Sequence, residues 1–242
     1  MAENNLRYPV VLLDVGGTMI GSRASFGQVY SEVFSEFGVR CDGEHFNDAI
    51  YTAWNEMNAA VPQGVDRYAH FDGGEEGYWR RFIVRSVELA TGEMVGDRLA
   101  AAALRRLQDR FGNAATWRVF EDVPPALQAL RDLGARLAVV SNWDSQLPNV
   151  LRVLSLDGWF ETVVVSRFEG VEKPNPRIFE LALERMGIEP GQAVHVGDSR
   201  ELDGVGAAAA GVDFAWVDRS EKPRDGSIPD FKRLPGIVER GF

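Results

Sequence analysis

From Val119 onward the chain alternates between short apolar runs and segments whose apolar residues recur at helical spacing. Strands separated by helix-length connections cannot be joined as hairpins. They run parallel, and right-handed crossovers put the helices on both faces of one sheet. The spacing predicts strands over 136–140, 162–165, 193–196 and 212–217, with helices over 124–134, 145–155, 176–186 and 200–210. Pro124 and Pro125 suit a first helical turn, and Gly134, Gly187 and Gly211 are stop signals. Residues 219–229 read as a polar loop, followed by a short helix over 231–238.

The stretch Val10-Val11-Leu12-Leu13-Asp14-Val15-Gly16-Gly17-Thr18 supplies one more strand. Four consecutive apolar residues fit a strand buried on both faces. Two glycines then allow a sharp turn and close backbone approach to a ligand. The whole pattern reads as an α/β doubly wound parallel sheet, in which ligands sit beyond the carboxyl ends of the strands. Asp14, Ser141 and Asp198 each follow such an end, and Lys173 lies in the loop Glu172-Lys173-Pro174-Asn175-Pro176. Two carboxylates at close range need a cation to remain ionised. Asp14 and Asp198 therefore suggest Mg²⁺, which prefers oxygen ligands. With Lys173 adding a second positive charge, the constellation suits an anionic, phosphoryl-type group.

Between the first strand and Val119 the pattern differs. Phe26, Val29, Tyr30, Val33, Phe34 and Phe37 fall on one helical face that stops at Gly38. Further helices are expected over 49–57, from Tyr78 through Val87, and from Asp97 to Gly112, with a loop over 61–77. No alternating segment appears here, so the region reads as a helical insertion. The expected division is a core of residues 1–21 and 115–242 and a helical domain of residues 22–114, with hinges near Gly21-Ser22 and at 114–116.

Composition sets the outer bounds. Apolar residues make up 45% of the 242, as in a folded globular protein. A net charge of −10 argues against nucleic acid and acidic membranes as partners. Cys41 is the single cysteine, so no internal disulfide forms. No apolar run reaches membrane-spanning length, and the first residues lack the basic and apolar regions of a signal peptide. A cytoplasmic protein acting on a small phosphorylated molecule is expected; the sequence leaves the oligomeric state open.

Four segments carry a family resemblance: Asp14-Val15-Gly16-Gly17-Thr18, Val140-Ser141-Asn142, Lys173-Pro174-Asn175-Pro176 and Gly197-Asp198-Ser199-Arg200-Glu201-Leu202-Asp203. In this order they resemble the four motifs of the haloacid dehalogenase (HAD) superfamily. The helical insertion resembles the C1 cap of its subfamily I, which implies a cap that opens and closes over Asp14. The resemblance implies Asp14 as nucleophile, forming an aspartyl intermediate, with Ser141 and Lys173 supporting the transferring group. It implies Mg²⁺ held by Asp14, the Gly16 carbonyl and Asp198, with Asp203 close behind. Thr18 and Asn142 would support the nucleophile loop and bind the substrate.

One position departs from the family's phosphatases. They carry a second aspartate two residues after the nucleophile as general acid, where this chain has Gly16. Such help is typically worth roughly 10²–10⁴ in rate. The 2-haloacid dehalogenases also lack that aspartate, but they use no metal and lack the Gly-Asp of the fourth motif. The phosphonoacetaldehyde hydrolases need a cap lysine, and no lysine precedes Lys173 here. The expected activity is Mg²⁺-dependent hydrolysis of the phosphatase type. The alternatives are a dehalogenase-like hydrolase and a non-catalytic module that binds a phosphorylated ligand. Among other residues, His195 is expected as a packed core histidine rather than a ligand. His45 and His70 have no metal-binding spacing. Trp143 is a candidate for lining the pocket, and Arg23, Arg67, Arg80 and Arg81 are candidates for contacting an anion.

Overall fold

The structure is a computed structural model that describes residues 6–242. The chain separates into two compact units: the described residues up to Gly21 with Val119–Phe242, and Ser22–Arg118. Among the described residues there are seven strands: β1 (Val10–Leu13), β2 (Ile20–Ser22), β3 (Trp117–Val119), β4 (Arg136–Ser141), β5 (Thr162–Val165), β6 (Ala193–Gly197) and β7 (Asp213–Trp216). Five of them form one parallel sheet in the order β5-β4-β1-β6-β7. The chain builds outward from β1 on one side, crosses over, and builds outward on the other. β1 is thus the central strand at the switch point, which explains why all four of its residues are fully buried. Leu13 pairs with Val139 on one side and Val196 on the other, so Asp14, Ser141 and Asp198 emerge along one edge.

β2 and β3 pair with each other in a separate two-stranded sheet that three-residue strands left unpredicted. The return to the first unit also falls a few residues beyond the expected 114/115 boundary. The Trp117 ring packs on Phe26 and Phe111, which keeps β3's first residue with the helical unit.

The unit Ser22–Arg118 is built from α1 (Phe26–Ser35), α2 (Gly43–Ala59), α3 (Gly74–Thr91) and α4 (Asp97–Phe111). Helix α2 starts earlier than its apolar spacing predicts, because Asp42 caps it by accepting from the Glu44 and His45 amides. The expected loop at 61–77 contains a short 3₁₀ turn, Arg67–His70, and the first turn of α3. Val33, Phe34, Phe46, Ala53, Tyr78 and Ile83 lie at the centre of this unit's own core. Among the described residues no helix is long and apolar enough to cross a membrane.

The sheet unit carries α5 (Val123–Asp132), α6 (Leu147–Val153), α7 (Ser166–Glu169), α8 (Arg177–Met186), α9 (Val205–Ala209) and α10 (Leu234–Arg240). Ile178, Phe179 and Ala182 of α8 bury against Val10 and Leu12 of β1, and against Ala138, Val140 and Val164 of the neighbouring strands. The predicted helix over 200–210 is only partly α-helical: Arg200–Gly204 forms a π turn before α9.

Arg219 anchors the segment that follows Asp14. Its guanidinium makes two hydrogen bonds to Asp122, at 2.9 and 3.0 Å, and its Nε donates to the Thr18 carbonyl at 2.9 Å. It lies over the rings of Phe120 and Phe231, and the Phe231 amide donates to Asp122 as well. Burial pushes the Asp122 carboxyl up, but these donors outweigh it and hold it below the usual carboxylate range. A depressed carboxylate stabilises the fold above its unfolded value of about 3.9, and that contribution is lost as pH falls through the lower folded value. Asp122→Asn is expected to lower stability at pH 7 by about 1.5–3 kcal/mol, the range for hydrogen bonds to a charged group. Thermal melts should show the gap to the parent protein narrowing once the pH falls below that of the unfolded carboxyl.

Candidate active site

Past β1 the backbone turns tightly: the Met19 and Ile20 amides both donate to the Val15 carbonyl, and the Gly17 amide donates to Ile20. Gly17 is required twice over. Its φ is +74°, and a Cβ there would lie 2.4 Å from Asp198 Oδ2. The turn leaves Asp14 buried, with its carboxylate facing three other segments.

Asp14 Oδ1 accepts from Ser141 Oγ at 2.9 Å and from Lys173 Nζ at 2.6 Å. Lys173 Nζ also donates to Asp203 Oδ1 at 2.6 Å and to the Val140 carbonyl at 3.2 Å. Its three protons therefore have three acceptors, and the side chain is 3% exposed. Burial pulls the ammonium's pKa down, but Asp14 and Asp203 outweigh that and hold it above its ordinary value. Lys173 is a fixed positive charge.

The loop carrying Lys173 is held by Asn142. The Lys173 amide donates to Asn142 Oδ1 at 2.7 Å, and Asn142 Nδ2 donates back to the Lys173 carbonyl at 3.0 Å. Thr18 Oγ1 donates to Asp198 Oδ1 at 3.3 Å. Both side chains, expected at the substrate, thus have protein partners: Asn142 clamps the lysine loop, and Thr18 steadies Asp198.

Asp203 reaches this cluster because of the π turn. The Asp203 and Gly204 amides both donate to the Ser199 carbonyl, which swings Asp203 back against Gly197. A Cβ on Gly197 would come within 2.3 Å of the Asp203 carboxyl carbon. Besides Lys173, Asp203 Oδ1 accepts from His195 Nε2 at 2.8 Å, and Oδ2 accepts from the Ser199 amide at 3.0 Å. Burial raises the Asp203 carboxyl, while Lys173 and His195 more than reverse this and hold it ionised.

His195 is the residue whose part is least visible from sequence. It is fully buried, edge-on to Phe179 and stacked with Phe214, as a core histidine would be. Yet it also fixes Asp203. Bonding to an acceptor makes Nε2 the protonated nitrogen, and Nδ1 has no hydrogen-bond partner. The only available signal was a polar residue inside an otherwise apolar strand.

Ligand oxygens of Asp14, Asp198 and Asp203 lie within 4.8 Å of one another. Both Asp203 oxygens are already engaged, which leaves Asp14 and Asp198 as open donors. The residue Asp198 is exposed overall, yet its carboxyl is pushed up to about 7, by desolvation first and then by the charges of Asp14 and Asp203. Lys173 alone does not neutralise the three carboxylates. An oxygen-only donor set with surplus negative charge fits a hard divalent cation.

The other candidate residues have neighbours of their own. The Trp143 indole lies against Gly16, where a Cβ would meet its Cζ3 at 3.0 Å. Within the helical unit, the candidate arginines have local partners. Arg23 Nε donates to the Trp117 carbonyl, Arg67 lies over Trp54, and Arg80 and Arg81 pair with Asp97 and Asp72.

Residues 8–211 match the family model described as haloacid dehalogenase-like hydrolase. The chain belongs to that family. This haloacid dehalogenase-like hydrolase is 31% identical to mouse haloacid dehalogenase-like hydrolase domain-containing protein 3, over 94% of this chain and 88% of the mouse protein. It is 37% identical to the glyceraldehyde 3-phosphate phosphatase of Methanopyrus kandleri, over 56% of this chain and 60% of the archaeal protein. In fold it is similar to the magnesium-bound structure of Bacillus subtilis HAD-hydrolase YfnB, with a TM-score of 0.75, 18% identity and coverage of 96% of this chain and 99% of that one.

Proposed function

We propose that this hydrolase removes a phosphoryl group from a small phosphorylated metabolite, through an aspartyl phosphate on Asp14, with Mg²⁺ as cofactor. The observation that carries the reading is the buried Asp14–Lys173–Asp203 chain beside an uncompensated Asp198. Lys173 and Ser141 hold one oxygen of Asp14, and Oδ2 is left to attack phosphorus. As the bond from phosphorus to the leaving group breaks, Lys173 offsets charge on Asp14 and on the transferring group. Water then attacks phosphorus, and the Asp14 carboxylate departs with the bonding pair. Asp203, held by His195 and Ser199, keeps Lys173 aimed at the nucleophile.

Asp14, the Gly16 carbonyl and Asp198 would hold the metal. When bound, Mg²⁺ supplies charge neutralisation for the phosphoryl oxygens. The archaeal relative's name, glyceraldehyde 3-phosphate phosphatase, and YfnB's magnesium support this reading. Hydrolysis of p-nitrophenyl phosphate is expected with Mg²⁺, to be lost in EDTA, and to return when excess Mg²⁺ is added. Chelator-insensitive release of chloride from 2-chloropropionate, without phosphatase activity, would overturn the proposal in favour of a dehalogenase.

A further inference from the structure

The groups around Asp14 are notable for what they have already committed. Lys173 spends all three protons on Asp14, Asp203 and Val140. Ser141 gives its proton to Asp14, Thr18 gives its proton to Asp198, and His195 gives the Nε2 proton to Asp203. Asp203 accepts on both oxygens. Each of these protons is already directed at an acceptor within the protein. Two residues past the nucleophile, Gly16 has no side chain, and a Cβ there would lie 3.0 Å from Trp143 Cζ3, so the indole would have to give way by a few tenths of an ångström. The ring edge of Trp143 thus lies beside the nucleophile loop at Gly16.

From this arrangement we infer that the substrate is a phosphoryl donor whose leaving group departs as a stable anion, namely an aryl or acyl phosphate, and that Trp143, packed on Gly16, determines this specificity. The inference rests on the phosphatase reading of Asp14. In the first step Asp14 Oδ2 forms a bond to phosphorus. The bond from phosphorus to the leaving-group oxygen breaks, and that oxygen keeps the electron pair as a phenolate or carboxylate. In the second step water oxygen bonds to phosphorus, the Asp14 oxygen leaves with its pair, and the water proton passes to solvent. No step asks the groups bonded around Asp14 for a proton. A simple alkyl phosphate would have to expel an alkoxide, which is far too basic to leave unaided.

The test is the dependence of kcat/KM on leaving-group acidity across 2,4-dinitrophenyl, 4-nitrophenyl and phenyl phosphate, with acetyl phosphate and glycerol phosphate alongside. The rate is expected to fall by roughly 10²–10⁴ from 4-nitrophenyl to phenyl phosphate, the size of an absent general-acid contribution. Acetyl phosphate should be turned over and glycerol phosphate should not. Gly16→Asp alone should leave the dependence steep, because the indole crowds the new side chain. Combined with Trp143→Ala it should flatten the series. A flat dependence in the parent protein, or flattening by Gly16→Asp alone, would overturn the inference while leaving the phosphatase reading intact. A cooperatively melting protein that turns over none of the five compounds with Mg²⁺ would instead overturn the phosphatase reading, and this inference with it.

Discussion

Asp14→Asn should abolish turnover, lowering kcat for p-nitrophenyl phosphate by on the order of 10⁴–10⁶, the scale seen when a covalent nucleophile is removed. An amide oxygen does not form a stable acyl phosphate, so the first step has no acceptor. The variant is informative because so little else changes. Asparagine keeps an oxygen where Ser141 and Lys173 donate to Asp14, and Lys173 retains Asp203 as its counter-charge. The fold should survive, with cooperative melting. Acid-quenched parent protein should carry a phosphoryl group on the peptide containing Asp14, and the variant none. If the variant kept more than a tenth of the parent rate, Asp14 would not be the nucleophile. If neither protein turned over substrate while both bound phosphate, a binding module would be the better reading.

Lys173→Met is expected to cost about 3–5 kcal/mol of stability at pH 7, the range for breaking a buried ion pair by removing one partner, and to abolish activity as well. The methionine side chain fills much the same volume but leaves the buried carboxylates of Asp14 and Asp203 without their shared cation. Without Lys173, the desolvation that already pushes the Asp203 carboxyl up would raise it above the unfolded value of about 3.9. A carboxyl raised in the folded state stabilises it below the unfolded value and loses that contribution as pH rises. The stability deficit should therefore be largest near neutrality and shrink as the pH approaches 4. Adding Asp203→Asn to Lys173→Met should recover part of the loss at pH 7. A deficit independent of pH would mean that lost packing, not charge, dominates.

How far the sequence went depended on the range of the interactions involved. The buried strands were legible because four apolar residues at 10–13 and the runs at 162–165 and 193–196 fit few other structures. With the strands came the edge on which Asp14, Ser141 and Asp198 meet, since a parallel sheet aligns its carboxyl ends. Lys173 was placed by its motif. What stayed hidden depends on pairings between distant residues or on backbone detail. The Asn142 clamp on Lys173 bridges two loops, and the contact of Trp143 with Gly16 joins segments more than a hundred residues apart. The bond from His195 to Asp203 requires a π turn that apolar spacing cannot distinguish from an ordinary helical one. The pairing of β2 with β3 involves strands too short to show alternation.

The place of β1 at the centre of the sheet has a consequence for how the chain is made. Val10–Leu13 leaves the ribosome first among the sheet strands, yet Val10 pairs with Arg136 on one side and Ala193 on the other. At about 5–20 residues per second, the first partner follows roughly 6–25 s later and the second later still. Throughout that interval a run of four apolar residues has neither edge satisfied. The intervening helices have their own core to form, so the nascent chain is part folded and part adhesive. Synthesis speed and chaperone supply, more than the stability of the finished protein, should therefore govern its soluble yield.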